Sequence, residues 1–430
     1  MKKSLFAIAA VSAFAGAAQA QSSVTVYGIM DVGFAGTTSR AGTTAASSPG
    51  QQTLKTNTTG FSGAGSETTS RLGIRGTEDL GGGMSAFFTA EFALNPTNMN
   101  LSGDANGGLF NRQSFVGIAQ KGVGRAAVGT QYTPIHLLVG ATDPGQQNNM
   151  IGSIIYTTSS AQGNGQTSTS YTVRQNQAIT FNSENISGFQ LQAMYANGMS
   201  DRTQQSSIAY GATGSSTAQT STSLGGNVNS TGYGIGANFT WKKLVAVAAY
   251  QSFKNETDNS TAISAIASTN YGSSLATDPA RLVVGAGSTT SGNGVGTAAT
   301  NGINIQDNQF YGAAVYDFGI LKAYANYINR KATSTNNSNT YVSRTGQQLG
   351  VRSFITPKIE GWASIGNGTI NAFDATNVSA NFTAYQVGSN YILSKRTNLY
   401  AIYGATQVSS SSGTQPAGAS SYGLGLRHTF

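Results

Sequence analysis

Ser420-Ser421-Tyr422-Gly423-Leu424-Gly425-Leu426-Arg427-His428-Thr429-Phe430 closes the chain. In an extended strand, successive side chains point to opposite faces. Tyr422, Leu424, Leu426, His428 and Phe430 then share one face, and Gly423, Gly425, Arg427 and Thr429 share the other. The strand runs to the final aromatic residue, so no free tail is expected. The same period-two pattern, one face apolar and the other small or polar, returns along the sequence, with no helical period strong enough to compete. Apolar residues outside and polar residues inside are the signature of a membrane β-barrel.

Composition agrees. Only 9% of residues are charged, far below the roughly 25% usual for soluble chains, and 55 Gly and 7 Pro are spread without a stretch resembling an interdomain linker. Lys2 and Lys3, the apolar run Leu5 to Ala18 and the small-x-small site Ala18-Gln19-Ala20 read as a signal peptide over residues 1–20. The mature barrel is then residues 21–430. Removing Lys2 and Lys3 takes the formal charge from +8 to +6. The remaining Lys and Arg are scattered and form no run, so no nucleic-acid partner is expected. Nothing after residue 20 approaches 18 consecutive apolar residues, which excludes membrane-spanning helices. Cysteine is absent, so stability is expected from backbone pairing and packing.

Sixteen strands are expected, antiparallel and up-and-down. The first covers about Val24 to Gly36, followed by a Gly/Ser/Thr-rich loop to about Thr69. Arg71 opens the second, and Asp79-Leu80-Gly81-Gly82-Gly83 turns into the third. There Met84, Ala86, Phe88, Ala90 and Phe92 face out and Glu91 faces the lumen. Gly232, Gly234 and Gly236 interleave with Tyr233, Ile235, Ala237 and Phe239 in the eighth. Later strands meet at Gly319, Pro357-Lys358 and Ser394-Lys395-Arg396. Connections alternate between two to five residues and tens of residues, as short periplasmic turns and long external loops do. Trp241, Tyr391 and Phe430 at strand ends fit an aromatic girdle. Hydrocarbon offers no hydrogen bonds to peptide groups, so a sheet crossing it must close. About sixteen strands leave a lumen wide enough for water.

Four stretches resemble the trimeric general porins of Gram-negative bacteria, most closely the beta-proteobacterial type. They are Ser23-Val24-Thr25-Val26-Tyr27-Gly28, Ser70 to Gly81, Asn111-Arg112-Gln113-Ser114-Phe115-Val116-Gly117, and Leu426 to Phe430. The resemblance implies a third external loop folded into the barrel as an eyelet, with a basic cluster of Arg71, Arg75 and Arg112 on the facing wall. Alternation agrees for Arg71 and Arg75, because Leu72 and Ile74 take the opposite face. For Arg112 to face in, alternation requires Phe115 and Gly117 to face out. Arg174 is a fourth candidate, sharing a face with Thr180 and Asn182. Asn182 stands where enteric porins carry a further arginine. The loop, about Thr133 to Thr172, holds one carboxylate, Asp143, against the two of cation-preferring relatives, and Glu91 balances the arginines. A net positive throat focused by a low-dielectric wall implies passive diffusion of small hydrophilic solutes and ions with a preference for anions.

The run Leu137-Leu138-Val139 reads as an anchor of the infolded loop. Gly232-x-Gly234-x-Gly236 lacks the strand-turn-helix context of a nucleotide fingerprint. With no cysteine and two histidines, His136 in the loop and His428 toward lipid, neither in a nucleophile motif, no enzyme activity, metal or cofactor is expected. A homotrimer in outer-membrane lipid follows from the resemblance. Two other readings stay open: a substrate-selective porin, and an adhesin-like barrel acting through the loops at about 199–230, 256–307 and 371–380.

Overall fold

The computed structural model describes residues 23–42, 53–99, 101–102, 108–157, 170–203, 226–257, 305–335, 338–339, 341–373, 377–410 and 417–430. The signal-peptide reading of residues 1–20 lies outside them. So do residues 204–225, 258–304 and 374–376 of the expected long loops.

Period-two patterning produces strands throughout. In chain order they are β1 (Ser23–Gly42), β2 (Thr53–Ser62), β3 (Arg71–Gly81), β4 (Met84–Ala93), β5 (Asn111–Gln120) and β6 (Gly124–Tyr132). A helix, α1 (Pro134–Thr142), precedes β7 (Arg174–Ser183), β8 (Phe189–Thr203), β9 (Gly226–Trp241), β10 (Leu244–Thr257) and β11 (Ile305–Asp317). The last six are β12 (Lys322–Ser334), β13 (Tyr341–Thr356), β14 (Ile359–Phe373), β15 (Asn377–Ile392), β16 (Thr397–Ser410) and β17 (Ala417–Thr429). Several run further than the alternation indicated: β14 and β15 leave only residues 374–376 between them, where a loop over 371–380 was expected.

The barrel closes where β17 pairs with β1, from Ile29↔Thr429 to Arg40↔Gly418. Gly28 and Phe430 exchange both backbone hydrogen bonds at 3.1 Å. β2 and β3 pair with different halves of β1, along Gly33–Gly42 and Ser23–Ile29. They are two pieces of one barrel position, so the 17 strands occupy sixteen positions. The stretch expected as one loop up to Thr69 therefore contains a strand of its own. Between the pieces, residues 63–70 turn inward and are almost all buried.

Facing follows the sequence. Val116, Ile179, Leu191 and Ile235 lie on the outer wall, each more than half exposed, and Gln192 and Met194 are buried inside. One stretch of inner wall differs. Val247, Ala249, Tyr311, Ile328, Ile370 and Phe382 face inward yet are buried, because Ile135, Leu138, Val139, Ile154 and Ile155 of the loop after β6 cover them. The lumen is thus not polar all round: an apolar strip on the wall and an apolar side of the loop remove each other from water.

α1 begins with Thr133 as N-cap, its Oγ1 accepting from the His136 amide, and with Pro134 at the first helical position. Gly234 and Gly236 supply its seat. A Cβ on either would stand 3.1 Å from Pro134 Cγ or Leu138 Cδ1 respectively. The glycine run of β9 serves close packing of helix on wall. Of the apolar run, Leu138 and Val139 are anchors while Leu137 is 39% exposed in the lumen. From α1 the loop crosses the lumen: Asn326 Nδ2 donates to the Thr142 carbonyl, Gln386 Nε2 to those of Met150 and Ile151, and Asn149 Nδ2 to Gly65 O.

Candidate functional site

The inner wall of β3 to β7 carries arginines at positions set by local geometry. Arg71 and Arg75 share the lumenal phase of β3 with Gly73, which pairs with Glu91 of β4. Arg112 reaches the lumen by a different route. Glu91 pairs with Gln113, but the next residue, Phe92, pairs with Asn111, so Arg112 is the extra residue of a β-bulge. Gln113, Phe115 and Gly117 face in by register with Glu91, Thr89 and Phe87. The expectation that Phe115 and Gly117 must face out is therefore wrong, because a bulge inserts one residue and re-aims its side chain without shifting the rest of the strand.

Arg112 Nε donates to Glu91 Oε1 at 2.8 Å and Nη2 to Tyr132 OH at 2.9 Å. Its buried Nη1 has no hydrogen-bond partner among the described residues. Arg71 Nη1 lies 3.8 Å from the same carboxylate oxygen, and its Nε donates to the Thr69 carbonyl at 2.9 Å. Tyr27 donates to Glu91 Oε2 at 3.1 Å. Arg174 lies 5.3 Å over the Tyr132 ring. Arg71, Arg112 and Arg174 line one cavity with Tyr132, His136 and Gln147. Arg75 stands apart, exposed and 5.3 Å over the Tyr27 ring.

The loop side is nearly neutral. His136 is buried, and Gln147 Nε2 donates to its Nδ1 at 3.0 Å. Burial first, then the charges of Arg174, Arg112 and Arg71, hold its imidazole well below the usual range. Asp143 ends α1 with its carboxylate occupied: Oδ2 accepts from the Gln147 amide at 2.7 Å and Oδ1 from Gln348 of β13 at 3.2 Å. Burial pushes this carboxyl up.

Other charged residues of the lumen escaped the sequence reading. Glu67, in the inward segment between β2 and β3, accepts from Asn390 and Asn398 at 2.8 and 2.9 Å and pairs with Arg427 at 3.4 Å. Asp31 accepts from Tyr400 OH at 2.5 Å and the Thr68 amide at 2.7 Å. On the facing wall Arg330 pairs with Asp307 at 2.6 Å and Arg352 with Glu360 at 2.5 Å. Arg330 and Arg352 sit on the polar phase of their strands, so alternation contained the signal. Glu67 sits in a Gly/Ser/Thr-rich stretch with no period to read.

Comparison with known proteins agrees with this architecture. Residues 7–411 match the sequence pattern of a family described as Gram-negative porin. An outer membrane porin protein of Bordetella pertussis is 28% identical over 438 residues, covering the whole of both chains. Outer membrane porin protein 32 of Delftia acidovorans is 42% identical over 119 residues, 28% of this chain and 29% of that one. Among solved structures, an anion-selective porin from Comamonas acidovorans superposes with a TM-score of 0.56 at 19% identity, covering 95% of this chain and 100% of that one. The trimer form of OmpT from Vibrio cholerae gives 0.53 at 13% identity, covering 95% and 99%. At such identities the structural likeness is one of fold; the match over residues 7–411 goes further, and the chain belongs to the Gram-negative porin family of outer-membrane proteins.

Proposed function

We propose that this porin is a passive channel for small hydrophilic solutes and ions that prefers anions, with Arg71, Arg112 and Arg174 as the basic side of its eyelet. One observation carries the reading: three guanidiniums line a single cavity with no carboxylate among its described lining residues, and Glu91 stands behind them 2.8 Å from Arg112. Three positive charges against one negative leave a positive throat, and the surrounding low-dielectric wall focuses that field on a permeating ion. Arg75 adds to it from the lumenal face of β3, outside the cavity. Asp143, as the single carboxylate of the loop, offsets the arginines weakly because its oxygens are already taken by Gln147 and Gln348. The anion-selective Comamonas porin of the same fold is consistent with this reading.

The channel is a homotrimer embedded in outer-membrane lipid. Val24, Val26 and Phe34 of β1 and Leu424 and Leu426 of β17 give an apolar outer face for subunit packing, and the trimer form of OmpT supports it. Catalysis has no part in this reading, since the family consists of channels and His136 is committed to Gln147. Residues 1–20 act as a cleaved signal peptide, and amino-terminal sequencing of the mature protein should begin at Gln21.

Reversal potentials across a planar bilayer in a KCl gradient test the central reading. Chloride should be the more permeant ion, and a potential of the cation-selective sign refutes it.

A further inference from the structure

A second cavity adjoins the first. Leu137 and Tyr132 line both. It lies nearer the short turns, because β5 runs from Arg112 through Gln113 and Phe115 toward the turn at Lys121–Val123. Its walls are unusual for a water-filled channel. Phe87 and Phe115 both point inward, edge to face, with centroids 6.3 Å apart at 77°. The Phe87 ring rests on bare backbone at Gly117, where a Cβ would stand 2.6 Å from its Cζ. Pro134 and the half-exposed Leu137 of α1 form the opposite side. At the rim stands Arg125 of β6, exposed to the lumen and paired in register with Asn182. No carboxylate is ion-paired to Arg125 among the described residues.

An aromatic floor, an apolar roof and an unneutralised guanidinium at the edge, with Gln113, Gln131, Thr180, Asn182 and Gln192 on the remaining wall, are the elements of a small-molecule site: apolar surfaces for the body of a ligand and polar groups to orient it. We propose that this cavity is a binding subsite for organic anions with a flat apolar body, of which aromatic carboxylates are the simplest. The ring lies between the Phe87–Phe115 pair and Leu137, and the carboxylate accepts hydrogen bonds from Arg125. Small inorganic anions gain nothing from the aromatic floor and pass it. The subsite rests on the anion-preferring reading above, since the ligand reaches it past Arg71, Arg112 and Arg174.

Benzoate and acetate provide the test, because they share a carboxylate and differ in the ring. Added at equal ionic strength to the full-length native channel in a planar bilayer carrying chloride current, benzoate should block at a concentration about five-fold lower than acetate, the gain expected of one aromatic contact of about 1 kcal/mol. Phe115→Ser should abolish that difference. Arg125→Gln, a rim change that leaves the aromatic pair intact, should raise the half-blocking concentration of benzoate severalfold and serves if the first variant fails to assemble. Equal block by the two anions in a channel that still prefers chloride overturns the subsite alone, as does excess benzoate block that survives Arg125→Gln. A cation-selective reversal potential overturns both readings.

Discussion

Arg112 reaches Glu91 at 2.8 Å from a position that plain alternation would point at lipid. The bulge opposite Glu91 and Phe92 turns the guanidinium inward, where Tyr132 takes a second N–H at 2.9 Å. The pair is almost fully buried, so it balances charge and positions the arginine at once.

Neutralising Glu91 separates these two roles. Glu91→Gln keeps an acceptor for Arg112 while changing the local balance from two net positive charges to three, so the chloride-to-potassium permeability ratio should rise. A fall in that ratio, measured by reversal potential, would contradict the placement. Assembly should weaken too, because removing one partner of a buried ion pair costs about 3–5 kcal/mol.

Removing arginines should act in a graded way. Arg71→Gln, Arg112→Gln and Arg174→Gln each take one charge from the cavity and should each lower chloride preference in the same assay. Arg75→Gln should do less, since that side chain lies over Tyr27 and outside the cavity. An Arg75 effect equal to the other three would mean that the field is set by the whole lumen.

The loop is held at its far end by Asn149, whose Nδ2 donates to Gly65 O at 2.9 Å and Thr69 Oγ1 at 3.1 Å. Asn149→Ala leaves the Gly65 carbonyl without that donor, a cost of about 1–3 kcal/mol. The barrel ladders are untouched, so folded channels should still form. Single-channel records should show added current noise as the loop moves against residues 63–70, and records as quiet as the native protein's would show that α1 and the other anchors, Gln386 among them, hold the loop without Asn149.

His136 supplies a pH test. Its proton affinity is lowered by burial and by Arg174, Arg112 and Arg71, so the ring is neutral near pH 7 and stays neutral as pH falls past 6.5, the ordinary imidazole value. Ion selectivity should therefore show no inflection between pH 8 and 6. Because the unfolded chain takes up a proton near 6.5 that the folded one refuses, stability contributed at this site should decline as pH drops below that value. Thermal unfolding of native protein and His136→Gln across the range reads this out: the variant should lose less stability on acidification.

How far the sequence reached differs from one residue to the next. Glu91 was placed on the lumenal face by alternation, and for Arg71 and Arg75 alternation agreed with the wall that the resemblance gave them, because β3 and β4 are regular along that stretch. Phe115 was assigned to the wrong face for one reason: a single inserted residue is invisible to a period-two count, yet it changes which neighbours share a side. Asp143 was read as a charge opposing the arginines, and the fold instead commits it to Gln147 and Gln348.

Alternation is a local property, since each strand residue has only two directions to point. Sixteen strands, most of their facing, the short turns and the closed architecture required by a hydrogen-bond-free solvent therefore followed from residue order, save for the extra strand β2, the break at 63–70 and the bulge at Arg112. Which side chains meet across the lumen is not local. The path of the loop from Thr133 past β13 and β15 to Gly65, the seating of α1 on Gly234 and Gly236, and the buried contacts of Glu67 join residues up to 331 positions apart. Only a closed barrel brings them within hydrogen-bonding distance, because curvature turns opposite ends of the sequence toward the same enclosed space.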